Sequence, residues 1–303
     1  MSQIWRLNLK PEPDEGIAPQ DVFAFCQKNE ILGVGWREIT IRTDDYWALK
    51  AETDKTYPGD KGVLKAINAM REMALDDLIY TRFDGTYYLC RVKSKWVDSK
   101  PTADHYRHDI YNFVAVEWVS LGSEANVPGR VVNSFGPSAT VQRVRDVERI
   151  SKLLWNNFAT NGEDGFQYPV EPIGLDDFWQ SISSEDLECL IMLYLQSKGY
   201  YIYSTTLKRS TEKIECVMIK HDGSHRCFPQ VKRERALYGQ DYENLLHNQQ
   251  DKVYLFTTSQ EYVKCGNAQI MYLSLREIED FVRTNLTLLP PPILNWVTLC
   301  DAF

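Results

Sequence analysis

The 303-residue chain carries 34 Lys and Arg against 42 Asp and Glu, a formal net charge of −8, with 44% hydrophobic, 25% charged and 12% aromatic residues. That composition is ordinary globular material and excludes collagen-like, coiled-coil and extensively disordered chains, while the length, near the upper limit for one core, favours two domains. The longest aliphatic and aromatic run, Leu190 to Leu195, is far short of the ~20 residues that span a bilayer, and the opening MSQIWRLNLKPEPDEG has no apolar leader stretch, so a cytoplasmic protein away from membranes is expected. Seven cysteines without a CxxC spacing suit reduced thiols, mostly in the core, rather than disulfides or structural zinc. The acidic balance leaves nucleic acid open as a partner, because binding needs only a local basic patch.

In chain order, IWRLNL, ILGVGW, DLIYTRF, YYLCRVKSKW, NFVAVEWVSL and GRVVNSF read as strands, and Asp84-Gly85 reads as a tight hairpin between two of them. Helices are predicted over 19–29 and 62–74, the second from Val63, Ile67 and Met70 at helical spacing. The class is α+β, a small barrel or curled sheet, over residues 1–150. Asn, Gly, Asp and Pro crowd NNFATNGEDGFQYPVEP, which marks a linker within 151–172. The remainder, 173–303, opens with Ser183-Ser184-Glu185-Asp186 as a helix start and Leu187, Leu190, Ile191, Tyr194 and Leu195 as its apolar face. Strands YYIYST, KIECVMIK and RCFPQVKRE follow, the last two joined at Asp222-Gly223, then VYLFTTS, AQIMYLS and a closing helix over 275–289 that Pro290 to Pro292 end. A mixed sheet of the α/β kind is expected. No repeat, Walker A loop, dinucleotide fingerprint or GxSxG is present, and the spacings of His105 with His108 and of His221 with His225 suit surface histidines.

Phosphodiester hydrolysis needs a divalent cation on hard oxygen ligands, a group that orients or deprotonates water, and usually a lysine against developing charge. The second part offers Glu188 on the helix, Glu215 on a strand, and Gln230 and Lys232 on one face of the return strand, which the Asp222-Gly223 turn can bring near Glu215. Between Thr205 and Arg235 eight Lys/Arg face four acids, a local surplus that attracts phosphates. Lys208, Arg209, Arg233 and Arg235 are the phosphate-binding candidates here. The order helix-Glu, strand-Glu, turn, Gln-x-Lys, quoted as ECLIMLYLQSKGYYIYSTTLKRS, KIECVMI and PQVKR, resembles the PD-(D/E)xK restriction-endonuclease-like superfamily, in its Mrr-like branch with QxK. The resemblance covers roughly 183–282 and implies Glu215 and Gln230 as metal ligands for Mg²⁺ or Mn²⁺, Lys232 as the catalytic lysine and Glu188 as the helix acid. Glu replaces the usual Asp, and neutral Gln replaces the usual second acid.

The first part, over about 1–146, resembles the PUA-like group that includes EVE and YTH domains, through its element order and the GVGW at 33–36. The resemblance implies nucleic-acid binding with one modified base held, flipped, between aromatic side chains. Trp36, Trp47, Tyr80 and Trp96 are the candidate walls, with Trp36 and Trp96 the leading pair, and Lys93 and Lys95 are candidates for phosphate. Trp5 and Trp118 read as core. Together the two parts point to a metal-dependent DNA endonuclease directed by a base reader, in modification-dependent restriction or anti-phage defence. RNA in place of DNA stays open, as do a homodimer and other defence-complex subunits. The alternative is a catalytically inactive nucleic-acid-binding or protein-interaction subunit of such a complex.

Overall fold

The two-residue turn Asp84-Gly85 adopts positive φ at both positions, 46° and 75°, and pairs Phe83 with Thr86, the backbone geometry that a tight hairpin requires. The computed structural model describes residues 2–136, 139–159, 165–171, 173–207 and 214–303. The chain divides into two units, Met1–Ile173 and Gly174–Phe303.

The first unit runs β1 (Ile4–Leu7), α1 (Pro19–Lys28), β2 (Ile31–Val34), α2 (Tyr46–Thr56), α3 (Lys61–Glu72), β3 (Leu78–Phe83), β4 (Thr86–Val92), α4 (Ala103–Arg107), β5 (Asn112–Gly122), α5 (Gly129–Ser134), β6 (Val141–Val144) and α6 (Glu148–Phe158). Its strands form one curled six-stranded sheet in the order β2-β5-β4-β3-β1-β6, parallel only between β1 and β3. Asp60 caps α3 by accepting from Gly62 N, and the helix lays Val63, Ile67 and Met70 into a core with Trp5, Leu32, Ile79, Val114 and Trp96. The segment GRVVNSF, expected as a strand, is instead α5, entered from Pro128, and the sheet takes its sixth strand from Val141–Val144.

The expected linker begins with a packed helix. α6 buries Ile150, Leu154 and Trp155, and Ser151 Oγ accepts the Tyr80 hydroxyl at 2.9 Å. Further along, Tyr168 exchanges two hydrogen bonds with the Asn156 amide and donates its hydroxyl to Asp76 O at 2.8 Å, while Arg91 stacks 3.9 Å over Phe166. The first unit therefore takes in the segment expected as a linker, 151–172, and the second begins at Gly174, one residue after its expected start: the Asn, Gly and Pro residues that suggested a linker follow a helix whose buried stripe belongs to the first unit.

The second unit contains α7 (Leu175–Ser181), α8 (Ser184–Ser197), β7 (Tyr200–Ile202), β8 (Met218–Lys220), β9 (Arg226–Lys232), β10 (Leu237–Tyr238), β11 (Lys252–Thr257), β12 (Tyr262–Val263), β13 (Ile270–Tyr272), α9 (Leu275–Thr284) and α10 (Pro291–Leu299). A five-stranded mixed sheet runs β13-β11-β9-β8-β7, antiparallel across β7, β8 and β9 and parallel across β9, β11 and β13. Ser183 caps α8 through Asp186 N, and Gly199 ends it at φ 82°, where a Cβ would meet His221 Nδ1 at 2.8 Å. The final helix differs from expectation: α9 stops at Thr284, and Pro291 and Pro292, expected as a terminator, sit in the first turn of α10, where a missing N–H costs nothing. Among the described residues no helix is long and apolar enough to cross a membrane.

Residues 1–173 expressed alone are expected to melt cooperatively, whereas 1–150, which exposes the surface beneath Leu154 and Trp155, should melt lower or precipitate. Circular dichroism melts of the two fragments check this, and equal melting would refute the assignment of α6 to the first core.

Candidate functional site

In the second unit, β9 lies at the centre of the sheet and carries Gln230 and Lys232 on alternate positions, while α8 carries Glu188. Glu215 sits just before β8, its N–H donating to Pro229 O at 2.9 Å, so the expected strand KIECVMIK is a strand only from Met218 onward. Glu215 Oε1 accepts from Gln230 Nε2 at 2.8 Å and from Val231 N at 3.1 Å, and Lys232 Nζ lies 4.0 Å away. The four residues read from the sequence thus gather in one place.

Their electrostatics follow from burial. Glu188 is pushed up to about 7, first by loss of solvent and then by the charge of Glu215, with Lys232 opposing. Burial also raises Glu215, against the Val231 hydrogen bond and Lys232. Gln230 is 1% exposed, and its Oε1 is buried with no hydrogen-bond partner among the described residues. A buried amide oxygen left unpaired costs ~1–3 kcal/mol, so an electron-poor partner there would be favourable. Two carboxylates and an amide oxygen are a hard donor set, which fits a divalent cation of the Mg²⁺ class. Behind them, Cys216 donates to Met192 Sδ at 3.6 Å and its thiol is pushed up to about 12 by burial, so it is no thiolate ligand.

The basic candidates separate. Arg233 donates to Trp179 O at 3.3 Å and Gln180 O at 3.2 Å, capping the last turn of α7, so its guanidinium is held at the end of that helix. Arg235 is exposed. Lys208 and Arg209 lie outside the described residues.

In the first unit a cavity of about 370 Å³ is lined by Lys10, Glu12, Gly35, Trp36, Arg37, Glu38, Tyr57, Asp109 and Thr140. Of the four aromatic candidates, only Trp36 reaches it. Trp96 and Tyr80 are fully buried, one in the core and the other on Ser151, because their large rings fill the interior of a small sheet. Trp47 is 72% exposed on α2 against Tyr46. Lys93 and Lys95 are exposed beyond β4 and line no part of the cavity.

The GVGW motif now has a physical account. A Cβ on Gly33 would meet Asn112 O at 2.5 Å, so glycine lets β2 approach β5. A Cβ on Gly35 would meet both Asp109 carboxylate oxygens at 2.4 Å, so glycine makes room for that carboxylate. Trp36 and Asp109 both hold left-handed backbone, φ 58° and 53°, at a cost of order 1–3 kcal/mol each. What holds Trp36 there is Asn112, a fully buried residue that donates its amide to Gly35 O at 2.6 Å and Trp36 O at 3.3 Å and accepts the Trp96 indole N–H at 3.2 Å. Trp96 therefore positions the wall without being one. Tyr57 and Asp109 escaped sequence reasoning: the only signal was a Tyr-Pro-Gly turn and an aspartate before a strand.

Since the folded-state value of Glu188 lies near 7 and its ordinary value near 4.5, the native protein binds the extra proton between those limits, and raising pH through that window destabilises it. In EDTA at pH 8, Glu188→Gln should therefore raise the melting temperature of the second unit by a few degrees, reflecting about 1–2 kcal/mol at this half-exposed position, with the gain vanishing below pH 5. Scanning calorimetry at the two pH values checks this. No protein-family model, curated protein or solved structure matches the chain, so both sites are interpreted from their own residues.

Proposed function

We propose that the second unit is a PD-(D/E)xK-type endonuclease that hydrolyses DNA phosphodiester bonds with Mg²⁺ or Mn²⁺. On this reading the first unit is a PUA-like domain that directs it by holding one base in the Trp36 cavity, a division of labour suited to modification-dependent restriction or anti-phage defence. One observation carries the reading: a buried, unpartnered Gln230 Oε1 beside Glu215, Glu188 and Lys232. Glu215 and Gln230 Oε1 would hold the cation, which supplies charge to neutralise the phosphate and to acidify water. Glu188, pushed up to about 7, would lose its proton to solvent more readily beside a cation, and as a carboxylate it could orient or deprotonate a water molecule. Lys232, half-exposed, sets an ammonium where the pentacovalent phosphate gathers negative charge. At the other unit, Trp36 lines the cavity while packing against the core, and on this reading its indole would stack on the base, worth ~1–3 kcal/mol.

A rival reading, a nucleic-acid binder or protein-interaction subunit without metal chemistry, draws support from the neutral Gln and from the absence of three converging His, Cys, Asp or Glu side chains among the described residues. Plasmid incubated with the protein and Mg²⁺ or Mn²⁺ should be cut, and EDTA should stop it. Lys232→Ala should slow cleavage at least ~100-fold while DNA binding in EDTA changes little, because the lysine contributes to the transition state and not to the core. Undiminished cleavage by that variant would refute the site, and no cleavage by the parent would favour the binder.

A further inference from the structure

We infer that the cavity of the first unit selects a nucleobase carrying an exocyclic amino group, with the Asp109 carboxylate accepting that amine while the ring stacks on Trp36. This rests on the proposed base-reading role and assigns the chemistry that it reads.

Three acids line the cavity, and they differ in what they can do. Glu12 and Glu38 are exposed, and Glu38 already accepts the Tyr57 hydroxyl and lies 3.7 Å from Arg37 Nε. Asp109 is half-buried, and of its two oxygens Oδ2 accepts Glu12 N at 2.8 Å, which fixes the carboxylate and leaves Oδ1 as an acceptor for the cavity. The carboxylate lies flat on Gly35, the one residue type that admits it, and Gly35 is followed at once by Trp36. The acceptor and the aromatic face are thus fixed on adjacent backbone, both held in left-handed conformations that the Asn112 clamp and the Glu12 contact maintain. Strain of that kind, over-determined by its surroundings, belongs to a preorganised binding site. The cavity volume is near the lower end of small-molecule sites, ~300–1,000 Å³, which suits one base rather than a larger ligand.

The lining sets Glu12, Glu38 and Asp109 against Lys10 and Arg37, and Arg37 is already shared by Glu38 and Asp14, so the fixed Asp109 carboxylate beside Trp36 is suited to the base rather than to the phosphate of a nucleotide. A carboxylate accepts from the amine of cytosine or adenine. Replacing that amine with oxygen, at almost constant shape, sets a carbonyl lone pair against Oδ1 and moves the donor to the neighbouring ring nitrogen, so the half-buried acceptor loses its partner at the amine position.

The test uses the full chain in EDTA and fluorescence anisotropy with single-stranded oligonucleotides that carry one base among abasic positions. Cytosine is compared with uracil, and adenine with hypoxanthine. The amino member of each pair should bind roughly 5-fold to 150-fold more tightly. Asp109→Asn, which keeps an acceptor for Glu12 N but adds a donor, should erase that ratio while keeping affinity for the oxo bases, and Trp36→Ala should weaken both members alike. Equal binding of the two members by the parent protein, or preference for the oxo base, overturns the inference while leaving base reading intact. Binding no tighter than to a wholly abasic strand overturns both. The parent comparison stands whether or not the variants fold.

Discussion

Glu215 Oε1 takes two hydrogen bonds from its neighbours, the Gln230 amide and the Val231 N–H, and the second site is arranged around that half-compensated carboxylate. Because the Gln230 amide has turned its N–H toward Glu215, its oxygen is left buried without a partner among the described residues. Burial first, and then the charge of Glu215, push Glu188 up to about 7. One buried acceptor thus sets the orientation of one neighbour and adds to what burial does to the protonation of another.

The first unit solves a related problem with backbone strain. Asp109 is drawn partly out of water and is raised from its ordinary value, chiefly through burial, while one N–H from Glu12 opposes the rise. Keeping it beside Trp36 requires left-handed backbone at both residues, and the restoring force comes from deeper in the unit. The Trp96 indole fixes the Asn112 amide, and that amide fixes the carbonyls of Gly35 and Trp36. Arg42 packs on Trp96 and Tyr111 and donates to Ile39 O, Ile41 O and Tyr111 O, which braces the chain that follows. Stability and site geometry are therefore not separable at Trp96: the same ring fills the core and positions the cavity wall.

Periodicity and turn chemistry made most elements of the sheets legible, because alternation and i, i+3, i+4 spacing directly encode which face is buried. Glu188, Gln230 and Lys232 were legible because each sits on a recognisable helix or strand, and Glu215 because the Asp222-Gly223 turn brings the segment before β8 back onto β9. What local pattern could not convey was how buried a given aromatic is. Trp36 and Trp96 both follow strand-like runs, yet one lines a cavity and the other is wholly enclosed, a difference made by long-range packing on α3 and β5. The same holds for the boundary: glycine, asparagine and proline mark irregular chain, but α6 before them belongs to the first core through Tyr80, which lies far away in sequence. Arg233 shows the limit of counting charge, since a cation near a cluster of bases can be committed to a helix end.

The neutral residue at 230 has a consequence for the protein without a cation. A third carboxylate in that place would sit against Glu215 Oε1, where Gln230 now donates a 2.8 Å hydrogen bond, and would exchange attraction for repulsion in a poorly solvated setting. With glutamine, the cluster holds two acids, of which one carries a proton near neutrality and the other accepts two N–H groups, with Lys232 as their one nearby cation among the described residues. On the proposed nuclease reading, the same exchange would lower the negative charge offered to a cation, whose affinity would then depend on Glu188 giving up its proton. On that reading, a helix acid raised to about 7 and a strand amide that does not titrate would divide two tasks, attraction for a divalent ion and avoidance of a third buried charge, between two elements of the fold.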